Sequence, residues 1–410
     1  MPQLDSLSGN RPQTSVEWIS KLISYDTTSR YSSLDLIAFI QDYLNEEGLE
    51  GVLTHDSTGK KANLFATIPS ASGATTGGLV LSGHTDVVPV DGQNWSSDPF
   101  QADIRDGRLY GRGACDMKGF IGVTLQLLPL ILQKRLAYPI HLAYSYDEEV
   151  GCVGAPRMIE ELLQRGIKPS GCVVGEPTSM RTIVAHKGIN VYRCRVHGHA
   201  AHSSLTPKGL NAIEHAARII CAIRDLADSY KAQGPFDQAF DVPYTTMQTS
   251  MIRGGIALNT VPDLCEFEFE YRNLPDTSAQ AVLKKIQDYI HQDAVPRMLA
   301  ENPAGRVDIE QLASAPGLDA AEEAAITQLV RALTRDTQVR KVAYGTEAGL
   351  FQAAGVPSVI CGPGNIEQAH RPDEYVELDQ IAQCEKFLTA LIETQTIEAQ
   401  SANPDARTHP

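Results

Sequence analysis

The feature that most restricts the fold is a change in hydrophobic pattern near Lys187. Before this point, short apolar runs at residues 79–81, 140–146 and 172–174 alternate with helix-like segments such as residues 119–132. Short buried strands separated by helices are typical of a mostly parallel sheet that is covered on both faces. The first part of the chain is therefore predicted to form an α/β domain.

A second pattern occupies the middle of the chain. Apolar and arginine side chains alternate in residues 192–196, and apolar side chains alternate with glutamates in residues 265–271. Such alternation is typical of antiparallel strands that have one packed face and one solvent-exposed face. The α/β pattern then returns. We therefore predict one discontinuous α/β domain, residues 1–187 plus 305–410, interrupted by an inserted α+β domain at residues 188–304.

Composition limits the partners that this chain can bind. The 410 residues include 50 acidic and 35 basic side chains, which give a formal net charge of −15. Such a chain has no general attraction for nucleic acids or anionic membranes. The most apolar run, residues 120–132, is too short to span a bilayer, and residues 1–6 carry no sign of a secretory signal. Eight scattered cysteines without a CxxC pair predict reduced thiols and a cytoplasmic protein.

Acidic residues and histidines cluster where predicted strands end or glycines interrupt the chain. The candidates are His84, Asp86, Asp116, Glu148, Glu149, Glu176 and His370. In open α/β sheets, ligands bind beyond the carboxyl ends of the strands, so these side chains are expected to converge there. Gly111 and Gly113 lack the third glycine of a dinucleotide fingerprint, and the sequence contains no Gly-x-Ser-x-Gly elbow of a serine hydrolase.

The residue types in this cluster suit a transition-metal site. A ligand set of two histidines and three carboxylates drawn from these residues favours zinc, manganese or cobalt, whereas calcium prefers oxygen ligands only and structural zinc prefers cysteine. A single His-x-Asp sequence, such as His84 to Asp86, is nevertheless more often a local hydrogen-bonded pair, and a Glu-Glu pair is usually solvated surface. Residue types alone therefore leave a metal site and a set of local polar contacts as open alternatives.

Four short sequence motifs show a family resemblance. Residues 82–89, 111–119, 147–149 and 175–178 resemble the signature segments of the M20 family of binuclear zinc peptidases and amidohydrolases. Within that family, residues 344–351 and 361–375 look most like the acetylornithine deacetylases. The resemblance implies a mostly parallel zinc-peptidase catalytic domain. It also implies that the inserted α+β domain serves as a lid and as the contact surface of a homodimer.

The resemblance also implies a ligand set for two divalent metal ions, zinc with cobalt or manganese as possible substitutes. Asp116 is expected to bridge the two metals. His84 and Glu176 would complete the ligands of one metal, and Glu149 and His370 those of the other.

Three further residues receive catalytic roles from the same resemblance. Asp86 is expected to accept the second ring N–H of His84 and so to fix its tautomer. Glu148 is expected to be the general base that takes a proton from the attacking water. His202, in the inserted domain, is expected to donate a hydrogen bond to the developing oxyanion, often across a dimer.

Substrate recognition is predicted from three other positions. Arg272 and Asn259 match family positions that hold the substrate carboxylate, and the guanidinium fork of arginine suits that pairing. Glu347 is a hypothetical partner for the side-chain ammonium of ornithine. The alternative for Glu347 is a helix cap near Thr346.

The function that the resemblance implies is hydrolysis of N2-acetyl-L-ornithine to L-ornithine and acetate, a step of arginine biosynthesis. Another M20 deacylase or exopeptidase, such as an aminoacylase, a succinyl-diaminopimelate desuccinylase or a dipeptidase, remains an alternative. A non-catalytic amino-acid-binding protein on this fold is a remote third, because the complete ligand set and Glu148 are present. The expected partner is a small N-acyl amino acid, with neither nucleic acid nor membrane.

Overall fold

The computed structural model describes residues 11–402 of the chain. Residues 1–6, on which the prediction about a secretory signal depends, lie outside this range. The described residues form two compact units. The larger unit contains the chain up to Val184, then Ala320–Val339, and then the chain from Thr346 onward. The inserted unit contains Ala185–Asp319 and Arg340–Gly345.

The secondary structure follows the predicted alternation closely. The helices are α1 Ser15–Ile23, α2 Leu34–Glu46, α3 Lys118–Gln133, α4 Ala155–Gln164, α5 Ala212–Gln233, α6 Ala279–Tyr289, α7 Val295–Glu301, α8 Ala325–Thr334, α9 Ala348–Ala353, α10 Leu378–Glu393 and α11 Ile397–Ala402. The strands are β1 Gly51–His55, β2 Ala62–Ile68, β3 Leu79–His84, β4 Asp103–Arg105, β5 Arg108–Tyr110, β6 Ile140–Ser145, β7 Gly171–Val174, β8 Ala185–His186, β9 Ile189–His197, β10 Thr246–Gly254, β11 Leu264–Arg272, β12 Arg306–Ala315, β13 Leu318–Asp319, β14 Lys341–Val342, β15 Ser358–Ile360 and β16 Tyr375–Glu377.

The larger unit is built on a six-stranded sheet in the order β1-β2-β6-β3-β7-β15. The four strands from β6 to β15 pair in parallel, whereas β1 and β2 pair antiparallel at one edge. Every residue of β3 and of β6 is buried, which requires cover on both faces of the sheet. The prediction of a mostly parallel α/β domain is therefore confirmed. No helix within the described residues is long and apolar enough to cross a membrane.

The inserted unit contains a four-stranded sheet in the order β10-β11-β9-β12. All of its strand pairs are antiparallel, as the alternating pattern predicts. On the exposed face, Arg193 lies opposite Glu268 and Arg195 lies opposite Glu266, each pair at 2.7 Å. Most apolar residues of β9 and β11 are buried on the other face, in a core shared with α5. Opposite charges across one face and apolar packing across the other fix the register of the two strands.

The boundaries of the inserted unit differ from the predicted residues 188–304. Residues 305–319, which the sequence pattern assigns to the α/β domain, belong to the inserted unit. The reason is β12, which pairs with β9 along nearly its whole length and forms one edge of the four-stranded sheet. Only Ala313 and Ala315 of the ten β12 residues are buried, so this strand lacks the marked apolar alternation that identifies β9 and β11.

Candidate metal centre and catalytic site

The candidate ligands of the larger unit meet where its parallel strands end. His84 is the last residue of β3, and the strand register places it opposite Ser145 at the end of β6. Glu148 and Glu149 follow β6, and Glu176 follows β7, which pairs with the other side of β3. The convergence expected from the rule for open α/β sheets is therefore present.

Asp116 is the centre of this cluster. Its Oδ1 lies 2.9 Å from Nε2 of His84, and its Oδ2 lies 3.3 Å from Nε2 of His370. His370 Nε2 is also 3.0 Å from a carboxylate oxygen of Glu149, and His84 Nε2 is 3.8 Å from one of Glu176. One carboxylate thus presents a separate oxygen to each of two histidines, as a bridging ligand must.

The hydrogen bond of His84 fixes which ring nitrogen faces the cluster. Nδ1 lies 2.9 Å from the backbone carbonyl oxygen of Asp86, and a carbonyl can only accept, so Nδ1 carries a proton. The carboxylate of Asp86 is further away, at 3.6 Å, so the acceptor is the backbone carbonyl and not the predicted side chain. In the neutral ring, the lone pair of Nε2 then faces the carboxylates of Asp116 and Glu176. Acceptors that face one another in this way need either a proton or a metal ion between them.

The Asp86 carboxylate instead organises the loop after β6. Its Oδ1 accepts the backbone N–H of Glu148 at 3.0 Å, and its Oδ2 accepts that of Glu149 at 3.3 Å. The hydroxyl of Ser29 donates to Oδ2 at 2.7 Å. Because Asp86 is buried and holds both backbone amides, it positions the candidate base and a candidate ligand together.

The electrostatics of the cluster favour bound positive charge. Burial raises the pKa of Glu148 and of Glu176 well above the usual value, and it raises the pKa of Glu149 to about 7. The hydrogen bond to Asp116 is the main reason that the pKa of His370 rises to about 10. Three buried carboxyl groups and an imidazole that hold protons this strongly form a site in which a divalent cation can replace those protons.

The donor set fits such an ion. Ligand atoms of His84, Asp116 and Glu149 lie within 4.8 Å of one another, and so do those of His84, Glu148 and Glu176. Mixed imidazole and carboxylate donors suit zinc, manganese or cobalt. Glu148 is within reach of a metal as well, so the distances alone do not separate its predicted role as base from that of a ligand.

The larger unit contains contacts that the sequence did not indicate. The thiol of Cys152 lies 3.3 Å from Oε1 of Glu148, where it can donate a hydrogen bond to the candidate base. Arg112 and Glu374, both 1% exposed, form an ion pair directly beside Asp116. Glu374 stands four residues after His370 within a segment that carries the family resemblance, and that spacing is the only available signal.

Glu347 is buried in the larger unit and does not cap a helix. It is the N-cap residue of α9, but its side chain makes no capping hydrogen bond, and the Thr346 hydroxyl accepts the Ala348 N–H instead. Its Oε2 lies 3.5 Å from the hydroxyl of Ser82. Burial raises the pKa of Glu347 to about 7, although the hydroxyls of Ser145 and Ser82 oppose the rise. The capping alternative is therefore wrong.

The other predicted site residues lie in the inserted unit. His202 is exposed, and its Nδ1 accepts the Ser204 backbone N–H at 3.2 Å. The backbone carbonyl of the exposed Asn259 accepts the N–H of the residue after His202, at 3.0 Å. The guanidinium of Arg272 pairs with Glu270 at 3.0 Å. The roles of these three residues in a reaction remain predictions.

Comparisons with known proteins agree on one family. The model of peptidase family M20/M25/M40 matches residues 80–394. The chain is 34% identical over 371 residues to the acetylornithine deacetylase of Pasteurella multocida (strain Pm70). The matched region covers 90% of this chain and 93% of that relative.

Solved structures share the fold at lower identity. An M20 family metallo-carboxypeptidase from Sulfolobus solfataricus has a TM-score of 0.73 at 18% identity, over 93% of this chain and 99% of that chain. A dinuclear metal-binding M20 peptidase from Bacillus subtilis has a TM-score of 0.63 at 14% identity, over 92% and 96% of the two chains. The chain therefore belongs to peptidase family M20 and is a metal-binding hydrolase that acts on amide bonds.

Proposed function

We propose that this protein is a two-metal deacetylase that hydrolyses N2-acetyl-L-ornithine to L-ornithine and acetate, a cytoplasmic step of arginine biosynthesis. The observation that carries the proposal is the likeness to a relative named acetylornithine deacetylase, at 34% identity over 90% of this chain. The arrangement of Asp116 between His84 and His370 supports the two-metal part.

The proposed ligands divide into two sets that share Asp116. His84 and Glu176 would hold one ion, and Glu149 and His370 the other. We propose zinc, for which cobalt or manganese can substitute, because the donors are imidazoles and carboxylates. When bound, such a pair of ions lowers the pKa of a shared water and polarises the amide carbonyl.

Glu148 is the proposed general base and acid. Its carboxylate would take the proton of the attacking water and later give it to the departing amine. An amide needs this second proton transfer because its unprotonated amine is a poor leaving group. Two contacts support the role: Asp86 accepts the backbone N–H of Glu148, and the thiol of Cys152 lies 3.3 Å from its Oε1.

The inserted unit would supply an oxyanion donor and a carboxylate clamp. Because Nδ1 of His202 accepts a hydrogen bond, the proton of its neutral ring is on Nε2, which is left to donate. A donor aimed at a developing oxyanion typically contributes about 3 kcal/mol of transition-state stabilisation. Arg272 and Asn259 are the proposed contacts of the substrate carboxylate.

A homodimer through the inserted unit is part of the proposal. β10 is an edge strand of the four-stranded sheet, and it carries the exposed side chains of Met251 and Ile252. The loop after it exposes Ile256 and Leu258, at 87% and 103%. An unpaired strand edge with an apolar patch favours association with a second copy. Sedimentation velocity should show a dimer, and an Ile256→Ser/Leu258→Ser variant should shift it toward the monomer.

Substrate preference tests the proposal directly. We would measure kcat/KM of the zinc-loaded protein on N2-acetyl-L-ornithine and, in parallel, on N-acetyl-L-methionine. A preference for ornithine of about a hundredfold or more, equivalent to about 2.7 kcal/mol, supports a dedicated acetylornithine deacetylase. Comparable rates would indicate a broad aminoacylase, and no turnover of either would indicate another acyl group.

Glu347 is the proposed partner of the ornithine side-chain ammonium. Among the described residues, its Oε1 has no hydrogen-bond partner although it is buried, so a cation placed there would satisfy it. Glu347→Gln should therefore reduce the preference for ornithine over methionine by roughly tenfold or more, since it removes the charge and keeps the shape. Glu367→Gln, an exposed change of the same type, is the control. An unchanged preference would reject this role for Glu347.

A further inference from the structure

Glu374 belongs to neither proposed ligand set, yet its carboxylate accepts hydrogen bonds from the backbone of the loop that contains Asp116. Oε1 accepts the N–H of Cys115 at 2.9 Å and that of Asp116 at 3.0 Å, while Oε2 accepts the N–H of Gly113 at 3.1 Å. Gly113 has a φ of 83°, a conformation that turns the loop toward the carboxylate and that other residues rarely adopt. Three backbone N–H groups on one anion define the path of the chain into Asp116.

Arg112 extends this network from Glu374 toward His370. Its guanidinium donates to Oε2 of Glu374 at 2.7 Å and to Oε1 of Gln93 at 2.5 Å. The amide of Gln93 in turn donates to the backbone carbonyl of His370 at 2.9 Å. The ion pair is buried on both sides, with each residue 1% exposed, so solvent screens it little.

The network joins the backbone of Asp116 to the backbone of His370, one of the two histidines that face the Asp116 carboxylate. Oδ1 of Asp116 faces His84, and Oδ2 faces His370, at 2.9 and 3.3 Å. A bridging carboxylate serves two ions only if its plane is held between them. The position from which the Asp116 side chain reaches both histidines is set by its backbone, whose N–H donates to Glu374 at 3.0 Å.

We propose that Glu374 is a positioning residue that aims Asp116 at both metal positions and, through Arg112 and Gln93, holds the backbone of His370. The inference rests on the proposed two-metal function. Residues that orient metal ligands without touching the metal typically change metal affinity by roughly tenfold to a hundredfold when they are replaced.

The test measures zinc binding and not turnover. Purified metal-free protein is titrated with zinc ions against a chromophoric chelator, for the wild type and for Glu374→Gln, Gln93→Ala and Glu377→Gln. Glu374→Gln should weaken both zinc equivalents by at least tenfold, because Asp116 serves both. Gln93→Ala should weaken only one equivalent, by about tenfold, because His370 serves only one. Glu377→Gln, which removes an exposed pairing with Arg108 in the same segment, should leave both within threefold.

Two outcomes would overturn the proposal. One is a folded Glu374→Gln protein whose two zinc affinities lie within threefold of the wild type. The other is a Gln93→Ala protein with both affinities unchanged, and this variant decides the matter if loss of the Arg112 partner prevents Glu374→Gln from folding, as circular dichroism would show. Failure of the proposed function would give a different result, in which zinc binds as expected but N2-acetyl-L-ornithine is not hydrolysed.

Discussion

Replacing Asp86 with asparagine removes a charge from the carboxyl group that holds the loop after β6. That group accepts the N–H of Glu148 on one oxygen, and the N–H of Glu149 and the hydroxyl of Ser29 on the other. Whichever way the asparagine amide is turned, its NH2 group faces a backbone N–H that has lost its acceptor. The backbone carbonyl that accepts from His84 is retained, so the tautomer of this candidate ligand should not change.

The expected size of the effect follows from these hydrogen bonds. A hydrogen bond to a charged group contributes about 1.5–3 kcal/mol, and the substitution removes at least one from a buried site. At about 1.36 kcal/mol per decade, the loss corresponds to a factor of roughly ten to 150. We expect it in zinc affinity if the displaced residue is Glu149, and in kcat if it is Glu148.

The assay compares Asp86→Asn with Ser29→Ala. Zinc affinity is measured by chelator competition, and kcat/KM is measured on N2-acetyl-L-ornithine with saturating zinc. Ser29→Ala removes one hydrogen bond from the same carboxylate but leaves both backbone N–H groups with their acceptor, so it should change either quantity less than threefold. If Asp86→Asn also lies within threefold of the wild type in both measurements, Asp86 does not position this loop.

Three further predictions concern single residues. Glu148→Gln should lower kcat by roughly a hundredfold to ten-thousandfold while zinc content stays at the wild-type value, and a loss of zinc would make Glu148 a ligand. Burial lowers the pKa of His186 from 6.5 to about 4; the unfolded chain is then protonated between these pH values and the folded chain is not, so stability falls as the pH falls, by on the order of 3 kcal/mol. Urea unfolding of His186→Gln at a series of pH values should show a smaller loss of stability as the pH falls than the wild type shows. Gly175→Ala should cost about 1–3 kcal/mol in the same assay, because its Cβ would lie 1.9 Å from the Phe120 ring, whereas Gly51→Ala, which meets only the flexible Gln41 amide, should cost less.

Much of the fold could be predicted because its signals are local. The buried strand at residues 79–84, the helix at 118–133 and the alternation in 192–196 are periodic patterns that a few consecutive residues carry. The convergence of His84, Glu149 and Glu176 also followed, because parallel strands bring their carboxyl ends to one edge of a sheet. β12 was not predicted to belong to the inserted unit, because an edge strand with few buried side chains has little apolar periodicity.

The sequence by itself determined which chemistry the chain can support: the residue types for a metal site, their placement after strands, and a candidate base beside a candidate ligand. Only the tertiary structure decided which atoms meet. It showed that His84 bonds to the backbone of Asp86 and not to its carboxylate, and that Glu374 lies against the loop that carries Asp116. The physical reason is distance along the chain. Glu374 and Asp116 are 258 positions apart, and no local pattern specifies a contact that only the packing of the whole unit creates.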